Sequence, residues 1–343
     1  MNSFNEQDHP RDQVGRWTNK PGSTSAPEAD FNQFEFYPSI ATMVVDGPLE
    51  AGNYPWRDPQ VKDRIEVLRI RTSSPADSVA GAFEGMENLA IVDLPRDFFT
   101  PATSGGQVDA SWLFMNCPKL EWVNAFDWDT SKISDAQFMF AGCKSLQSLD
   151  VGGWDTSNLD CTSAMFSDCE NLRHLDVGDW DTSNLRYANN MFENCRSLQY
   201  LDTREWDTSK LEDAKKMFSN CQELRGLDTS SWNTSLLARS EEMFSSCHSL
   251  EHADLSKWNT GSLRRADAMF TGCTSLETVD LCGWNTDALE STRGMFLFCP
   301  NLKEVKLPVA DVAARPDSRH LLFDTGEFGD SVSVQAPNLP AHW

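Results

Sequence analysis

Large apolar residues return along this chain with a period of 26. Phe stands three residues before Cys in Phe114/Cys117, Phe140/Cys143, Phe166/Cys169, Phe192/Cys195, Phe218/Cys221, Phe244/Cys247, Phe270/Cys273 and Phe296/Cys299. Trp keeps the same step from Trp128 through Trp154, Trp180, Trp206, Trp232 and Trp258 to Trp284. A fixed period of this size marks an array in which each unit buries its apolar face only against its neighbours. The unit of residues 191–216, MFENCRSLQYLDTREWDTSKLEDAKK, shows the local elements. Leu201 and Thr203 alternate around Asp202, the pattern of a half-buried strand. Positions six and eight after the Cys are therefore expected to face inward, and positions five, seven and nine outward. Trp206-Asp207-Thr208-Ser209 reads as a turn, because Asp, Ser and Thr side chains bond their own nearby backbone. Leu211 returns to the core, Ala214 heads a column of small residues, and Met-Phe-x-x-Cys is read as one short helical turn. The pattern predicts a repeat solenoid of stacked parallel strands with short turns or helical pieces and terminal caps. Strands stacked about 4.8 Å apart would carry eight or nine coils through roughly 40 Å.

The array divides the chain. Residues 1–35 are polar and aperiodic and read as a flexible tail. Residues 36–80 hold apolar runs broken by turns, TMVV, DGPLEAGNYPW and RIEVLRI, and read as a β-rich N-terminal cap. The solenoid runs over 81–307. Its first unit carries Phe83, Leu89, Val92 and Asp93, with Met86 where Cys would stand, and about five extra residues loop out around RDFFTPATSGG. Residues 308–343 are irregular and fit a C-terminal cap or tail.

Three columns are candidates for chemistry. The eight periodic cysteines would stack near disulfide distance, but parallel Cβ vectors and equal partners define no pairing. They are expected to act as small buried hydrophobes, with a metal or redox ladder as the alternative. Cys161 and Cys282 stand outside that column. Seven residues after each Cys come Asn124, Asp150, Asp176, Asp202, Asp228, Asp254 and Asp280. Carboxylates one coil apart repel unless satisfied. Either the adjoining turn supplies hydrogen bonds, or a cation or basic partner does. The column Asp129, Asp155, Asp181, Asp207, Asn233, Asn259 and Asn285 exchanges Asp for Asn, so there the acceptor oxygen matters and the charge does not. Five after each Cys the residues vary: Trp122, Ser148, His174, Tyr200, Gly226, His252 and Thr278. Aromatic and polar side chains beside an acidic column are what a recognition surface needs. Trp122, His174, Tyr200 and His252, with Asp176, Asp202, Asp228 and Asp254, are the candidate binding residues; the alternative is an ordinary solvated face.

The net charge of −23 disfavours nucleic acid and anionic membranes, whose phosphates would be repelled, and allows a basic protein partner. There is no run of about 18 apolar residues to insert into a membrane. No apolar export segment or hydrophobic anchor is visible at either end, which leaves the cytoplasm as the expectation from sequence. HExxH, G-x-x-x-x-G-K-[ST] and G-x-S-x-G are absent, as is the calcium-binding G-G-x-G-x-D repeat. No catalytic residue, metal or cofactor is assigned.

The unit M-F-x-x-C-x-x-L-x-x-L-D-x-x-x-W-[DN]-T-S-x-[LI] resembles the 26-residue repeat of bacterial surface proteins, the BspA-like leucine-rich-repeat group. The likeness covers about residues 80–307, and DGPLEAGNYPW with RIEVLRI resembles the segment that often precedes such repeats. It implies a leucine-rich-repeat-like solenoid that binds other macromolecules, often as a cell-surface or adhesion protein, and it brings no catalytic residues. The expected function is a non-enzymatic protein-interaction module that holds its partner on the exposed strand face. A spacer presenting the N-terminal tail and an enzyme with a site in a cap are the alternatives.

Overall fold

The computed structural model describes residues 33–37, 41–46, 54–72, 74–308 and 333–335. Most of the expected N-terminal tail and of the expected C-terminal cap lies outside the described residues. In chain order the strands are β1 (Gln33–Tyr37), β2 (Thr42–Asp46), β3 (Val67–Ile70), β4 (Ile91–Asp93), β5 (Val108–Asp109), β6 (Trp122–Val123), β7 (Ile133–Asp135), β8 (Ser148–Leu149), β9 (His174–Leu175), β10 (His252–Asp254), β11 (Thr278–Asp280), β12 (Glu304–Lys306) and β13 (Ser333–Gln335). β1 and β2 pair antiparallel, and every other pairing is parallel. Parallel pairing with a one-coil offset, as in Thr278 to Glu304, is what a right-angled winding of identical units must give. The chain is thus the solenoid that its period predicts.

Apolar columns fill the interior. The phenylalanines from Phe83 to Phe296 stack coil on coil with centroids 4.9–5.8 Å apart and interplanar angles of 3–15°. Such pairs add about 0.5–1.5 kcal/mol each beyond their buried area. The extra residues before the second full unit do more than loop out. Phe98 and Phe99 turn back into the core, against Phe83 and Trp128 respectively.

The Met-Phe-x-x-Cys segment departs from the helical turn expected of it. Met191, Glu193 and Cys195 donate their N–H groups three residues back, to Ala188, Asn190 and Phe192 (3.2, 3.0 and 3.1 Å). The alternating N–H groups of Asn190, Phe192 and Asn194 donate instead to the next coil, at Lys215, Met217 and Ser219 (2.8, 2.9 and 2.8 Å). Asn190 and Asn194 sit at φ 60° and 62°, a left-handed backbone that ends any helix. Both positions recur through the array, as Trp112, Phe138 and Ala164, and as Asn116, Gly142 and Asp168. The segment is a staircase of reverse turns, since half of its donors belong to the neighbour rather than to itself.

The cysteine column is buried and unpaired, as expected of small hydrophobes, and it does one more thing. Each thiol from Cys143 to Cys299 donates to the carbonyl of the Phe one coil earlier at 3.0–3.2 Å, as in Cys195 Sγ to Phe166 O. Thr130, Thr156, Thr182, Thr208, Thr234 and Thr260 likewise donate to the next coil, at the carbonyl of its Asp or Asn turn residue, at 2.9–3.1 Å. Buried polar atoms of the repeat thus stitch adjacent coils together, which is how they avoid a desolvation penalty.

Candidate functional site

The strand side of the solenoid sorts its residues as the alternation predicts. Val151, Val177, Thr203, Thr229, Leu255 and Leu281, eight after each Cys, are buried, and of the residues six after, Leu149, Leu175, Leu201 and Val279 are buried while Leu227 and Ala253 are half-buried. The varying residues stand outward: Ser148, His174, Tyr200 and His252 are exposed, and Trp122 is half-buried on β6. Tyr200 is 60% exposed, more than any core aromatic in the array.

Both acidic columns turn out to be turn chemistry first. Asp129, Asp155, Asp181, Asp207 and then Asn233, Asn259 and Asn285 each accept the N–H two residues on through Oδ1, at 2.9–3.3 Å. Asp or Asn serves equally because the bond uses an oxygen and no charge. The outward column does the same. Asp176, Asp202, Asp228 and Asp254 accept the N–H groups of Gly178, Arg204, Ser230 and Ser256 at 3.4, 3.2, 3.0 and 3.0 Å. Asp176, Asp228 and Asp254 remain exposed residues. Asp202 is further clamped by the Arg204 guanidinium at 3.0 and 2.7 Å, and this pair holds its carboxyl at about 2. The hydroxyl and N–H of Ser230 lower Asp228 in the same direction. Asn124, at the head of the column, is buried and exchanges two bonds with Leu94.

The strand ladder is interrupted. The ladder stops once between β6 and β8, and again after the β8–β9 pair, where segments 199–203 and 225–229 form no strand before β10 pairs with β11. Arg225 N–H still reaches Gln199 O at 3.3 Å. The tryptophans stack as Trp128–Trp154–Trp180 and as Trp206–Trp232–Trp258–Trp284, and Trp206 still donates its indole N–H to Val177 O at 2.9 Å. Elsewhere in these coils nothing opens. Phe192, Phe218 and Phe244 stack at 5.6 and 5.7 Å, and a second ladder of bridges runs unbroken from Asp135 through Cys161, Tyr187, Asp213, Arg239 and Arg265 to Ser291.

Three residues distinguish the two coils of the second break, Thr203, Thr229 and Gly226. Position eight is Thr in these two coils and Val or Leu in the others from Val151 to Leu281. Thr203 donates its hydroxyl to Asp228 O at 3.3 Å, and Thr229 accepts the indole N–H of Trp258 at 3.1 Å. Side-chain bonds here stand in for ladder bonds. Gly226, with no side chain to pack, removes strand preference from the middle coil.

An open cleft of 650 Å³ lies over the interruption. Tyr200, His252, Asp202, Asp228 and Asp254 all line it, so five of the eight predicted residues come together; Trp122, His174 and Asp176 lie outside it. Arg204, Arg225, Glu251 and Gly226 complete the wall. The two-residue step from Asp202 points to Arg204, whereas Arg225 and Glu251 belong to position four, which the alternation alone does not mark as a site. His252 is anchored by its Nδ1 to Thr278 Oγ1 at 2.9 Å, so the ring forms a fixed wall.

Charged groups also gather elsewhere, in Lys144–Glu170–Arg196, in Glu193–Lys216–Glu242 and along the second ladder. Asp213, Arg239, Glu241, Arg265 and Asp267 alternate in sign at 3.2–3.3 Å, with the Glu241 side chain 6% exposed. This reads as a brace between coils. Among the described residues no group of three His, Cys, Asp or Glu side chains could hold a metal ion, and no helix is long and apolar enough to cross a membrane.

These features define a class: a repeat solenoid of short parallel strands with a varying, exposed strand face. Within that class, a profile for the family described as "Mycoplasma protein of unknown function, DUF285" matches residues 108–227 and 223–307, more than half of the chain. The chain belongs to that family. A search of curated proteins finds no match. Among solved structures, it is similar to a leucine-rich repeat protein from Eubacterium ventriosum, 14% identical over 78% of this chain and 74% of that one, with a TM-score of 0.41. It is also similar to a leucine-rich repeat protein from Bacteroides ovatus, at 18% identity, 91% and 100% coverage and a TM-score of 0.22. A T. pallidum leucine-rich repeat protein matches at 16% identity, 83% and 85% coverage and a TM-score of 0.16. No residue role is carried across from these structures.

Proposed function

We propose that this chain is a non-enzymatic interaction protein that holds a protein partner on its exposed strand face, with the segments at either end of the array acting as caps. One observation carries the reading. The recurring apolar residues turn inward, while Tyr200 and His252, two of the residues that vary, line one open cleft with the carboxylates of Asp202, Asp228 and Asp254. The net charge of −23 favours a partner with a basic surface, which long-range attraction would steer onto the face. The likeness of the repeat unit to the BspA-like bacterial surface repeats supports an adhesion-type role as the finer form of this proposal. The binding residues are then Tyr200, His252, Asp202, Asp228 and Asp254 at the cleft, with Trp122, His174 and Asp176 extending the face.

The test uses the full chain as bait in extracts of its source organism, followed by affinity measurement on each purified partner. Changing Tyr200 and His252 to Ala together removes exposed contacts and no core, so folding should be unchanged. Affinity for the true partner should fall at least tenfold, the loss of about 1.4 kcal/mol expected when contact side chains are truncated. An unaltered affinity for a verified partner would sink the assignment.

A further inference from the structure

We infer that the interrupted strand face is a socket for one arginine side chain of the partner, seated over Gly226 between Tyr200 and His252. The inference rests on the protein-binding reading above and narrows it to a chemical class. Space comes first. A Cβ built on Gly226 would meet nothing within 4 Å, so the middle coil leaves a vacancy. Tyr200 and His252 occupy the same position one coil to either side and stand up as its walls.

Charge comes second. Four carboxylates and two guanidiniums line the cleft, a net of −2 with His252 neutral. Arg204 is taken up by Asp202, so that pair contributes little outward field. Asp228 and Asp254 each accept a backbone N–H at Oδ1, Asp228 takes the Ser230 hydroxyl as well, and no ion pair among the described residues holds either carboxylate. Glu251 has no ion-pair partner among the described residues, although Glu277, one coil on in the same column, is neutralised by Lys303 at 2.6 Å. Arg225 stands one coil before Glu251, where an intact ladder would bring the two together; no ion pair joins them across the interruption. Arg225 can balance one of the three open carboxylates, which leaves two for a guest.

Geometry selects the cation. An ammonium is a compact point charge, whereas a guanidinium is flat and carries donors on several edges. It can lie on the exposed ring of Tyr200 and reach carboxylates on two neighbouring coils at once. A carboxylate or phosphate guest would meet the uncompensated acids instead.

The experiment places 3-fluorotyrosine at the four tyrosines of the full chain and follows their fluorine resonances, with Tyr200 assigned through Tyr200→Phe. The probes are blocked tripeptides, Ala-Arg-Ala, Ala-Lys-Ala and Ala-Glu-Ala, at millimolar concentration. The arginine peptide should move the Tyr200 resonance saturably, the lysine peptide should bind more weakly, and the glutamate peptide should leave it in place. Asp228→Asn combined with Asp254→Asn should weaken the arginine peptide roughly fivefold, while Asp150→Asn, in the paired part of the same column, should not. Gly226→Ile fills the vacancy without touching the walls. It should melt no lower than the parent and abolish the response, so its loss of binding is not a loss of fold. Three results would each overturn the socket: a Tyr200 resonance unmoved by the arginine peptide, lysine bound as well as arginine, or binding that survives Gly226→Ile. If the socket fails while Tyr200→Ala with His252→Ala still loses the captured partner, the strand-face reading stands. If that pair also has no effect, both readings fall.

Discussion

An acid that recurs once per coil has to be capped, paired or tolerated, and this chain uses all three. The Asp and Asn turn column is capped by backbone N–H groups. Asp202 is paired, and Asp228 and Asp254 are capped by a backbone N–H without an ion pair among the described residues. The pair gives a sharp expectation. With the Arg204 fork in place Asp202 titrates at about 2, below its ordinary 3.8. A lowered carboxyl contributes stability above its ordinary value, and that contribution fades as pH falls through about 2. Both partners are exposed, so the effect on global stability is slight. Arg204→Ala should return the Asp202 titration to the ordinary carboxylate range, as read from its side-chain carbonyl resonance. A midpoint that stays near 2 would mean that the turn N–H alone sets it. The exchange of Asp with Asn in the sequence already marked one column as turn chemistry. It could not tell that the outward column shares the same bond, because there the residue is Asp in every coil from Asp150 on.

At the scale of the element, the columns act as strings that tie coil to coil. The thiol column bonds each Cys to the Phe carbonyl one coil before, and burial pushes these thiols far from reactivity, Cys247 for example up to about 12. Labelling the native chain with iodoacetamide at mildly alkaline pH should therefore modify Cys282, which is exposed, and Cys161 more slowly. The buried thiols from Cys117 to Cys273 should react only after denaturation, as counted by mass spectrometry, with half-buried Cys299 labelled slowly like Cys161. Fast native labelling at Cys195 or Cys221 would show that the column opens. The same scale explains where helix and staircase part. Met-Phe-x-x-Cys has helical spacing in its apolar residues, but a helix spends its N–H groups on itself. Here every second N–H is claimed by the next coil, a demand that one unit read alone cannot reveal. The ladder interruption, by contrast, has a trace in the sequence: Thr203 and Thr229 depart from the Val or Leu of position eight in two consecutive coils. The period marks them as departures. That they release the strands and open a cleft depends on which hydrogen bonds the threonine hydroxyls find.

For the whole molecule, each coil contacts only its neighbours, so length is adjustable and register is not. Deleting residues 150–175, one full period, joins Leu149 to Asp176 in the same register and should leave a cooperatively folded, somewhat less stable solenoid. Deleting half as many should place apolar columns on the outside and abolish the cooperative transition in circular dichroism. Equal outcomes for the two deletions would contradict the nearest-neighbour picture. The continuous Phe stack and the second ladder also decide how the strand face can open. They hold the coils together on the remaining sides, so the interruption makes a cleft and leaves the array in one piece.

By itself the sequence determined the period, the inward and outward faces of the strand, the buried fate of the cysteines and the set of varying positions. All of these follow from which side chains repeat, since a residue that recurs in every coil must satisfy the same neighbours each time. Only the tertiary structure decided which of the eight outward candidates meet. Tyr200, His252, Asp202, Asp228 and Asp254 gather at one cleft while Trp122, His174 and Asp176 do not. That choice rests on where backbone hydrogen bonds between coils are lost to side chains, and such bonds join residues 26 or so apart, beyond the reach of any local pattern.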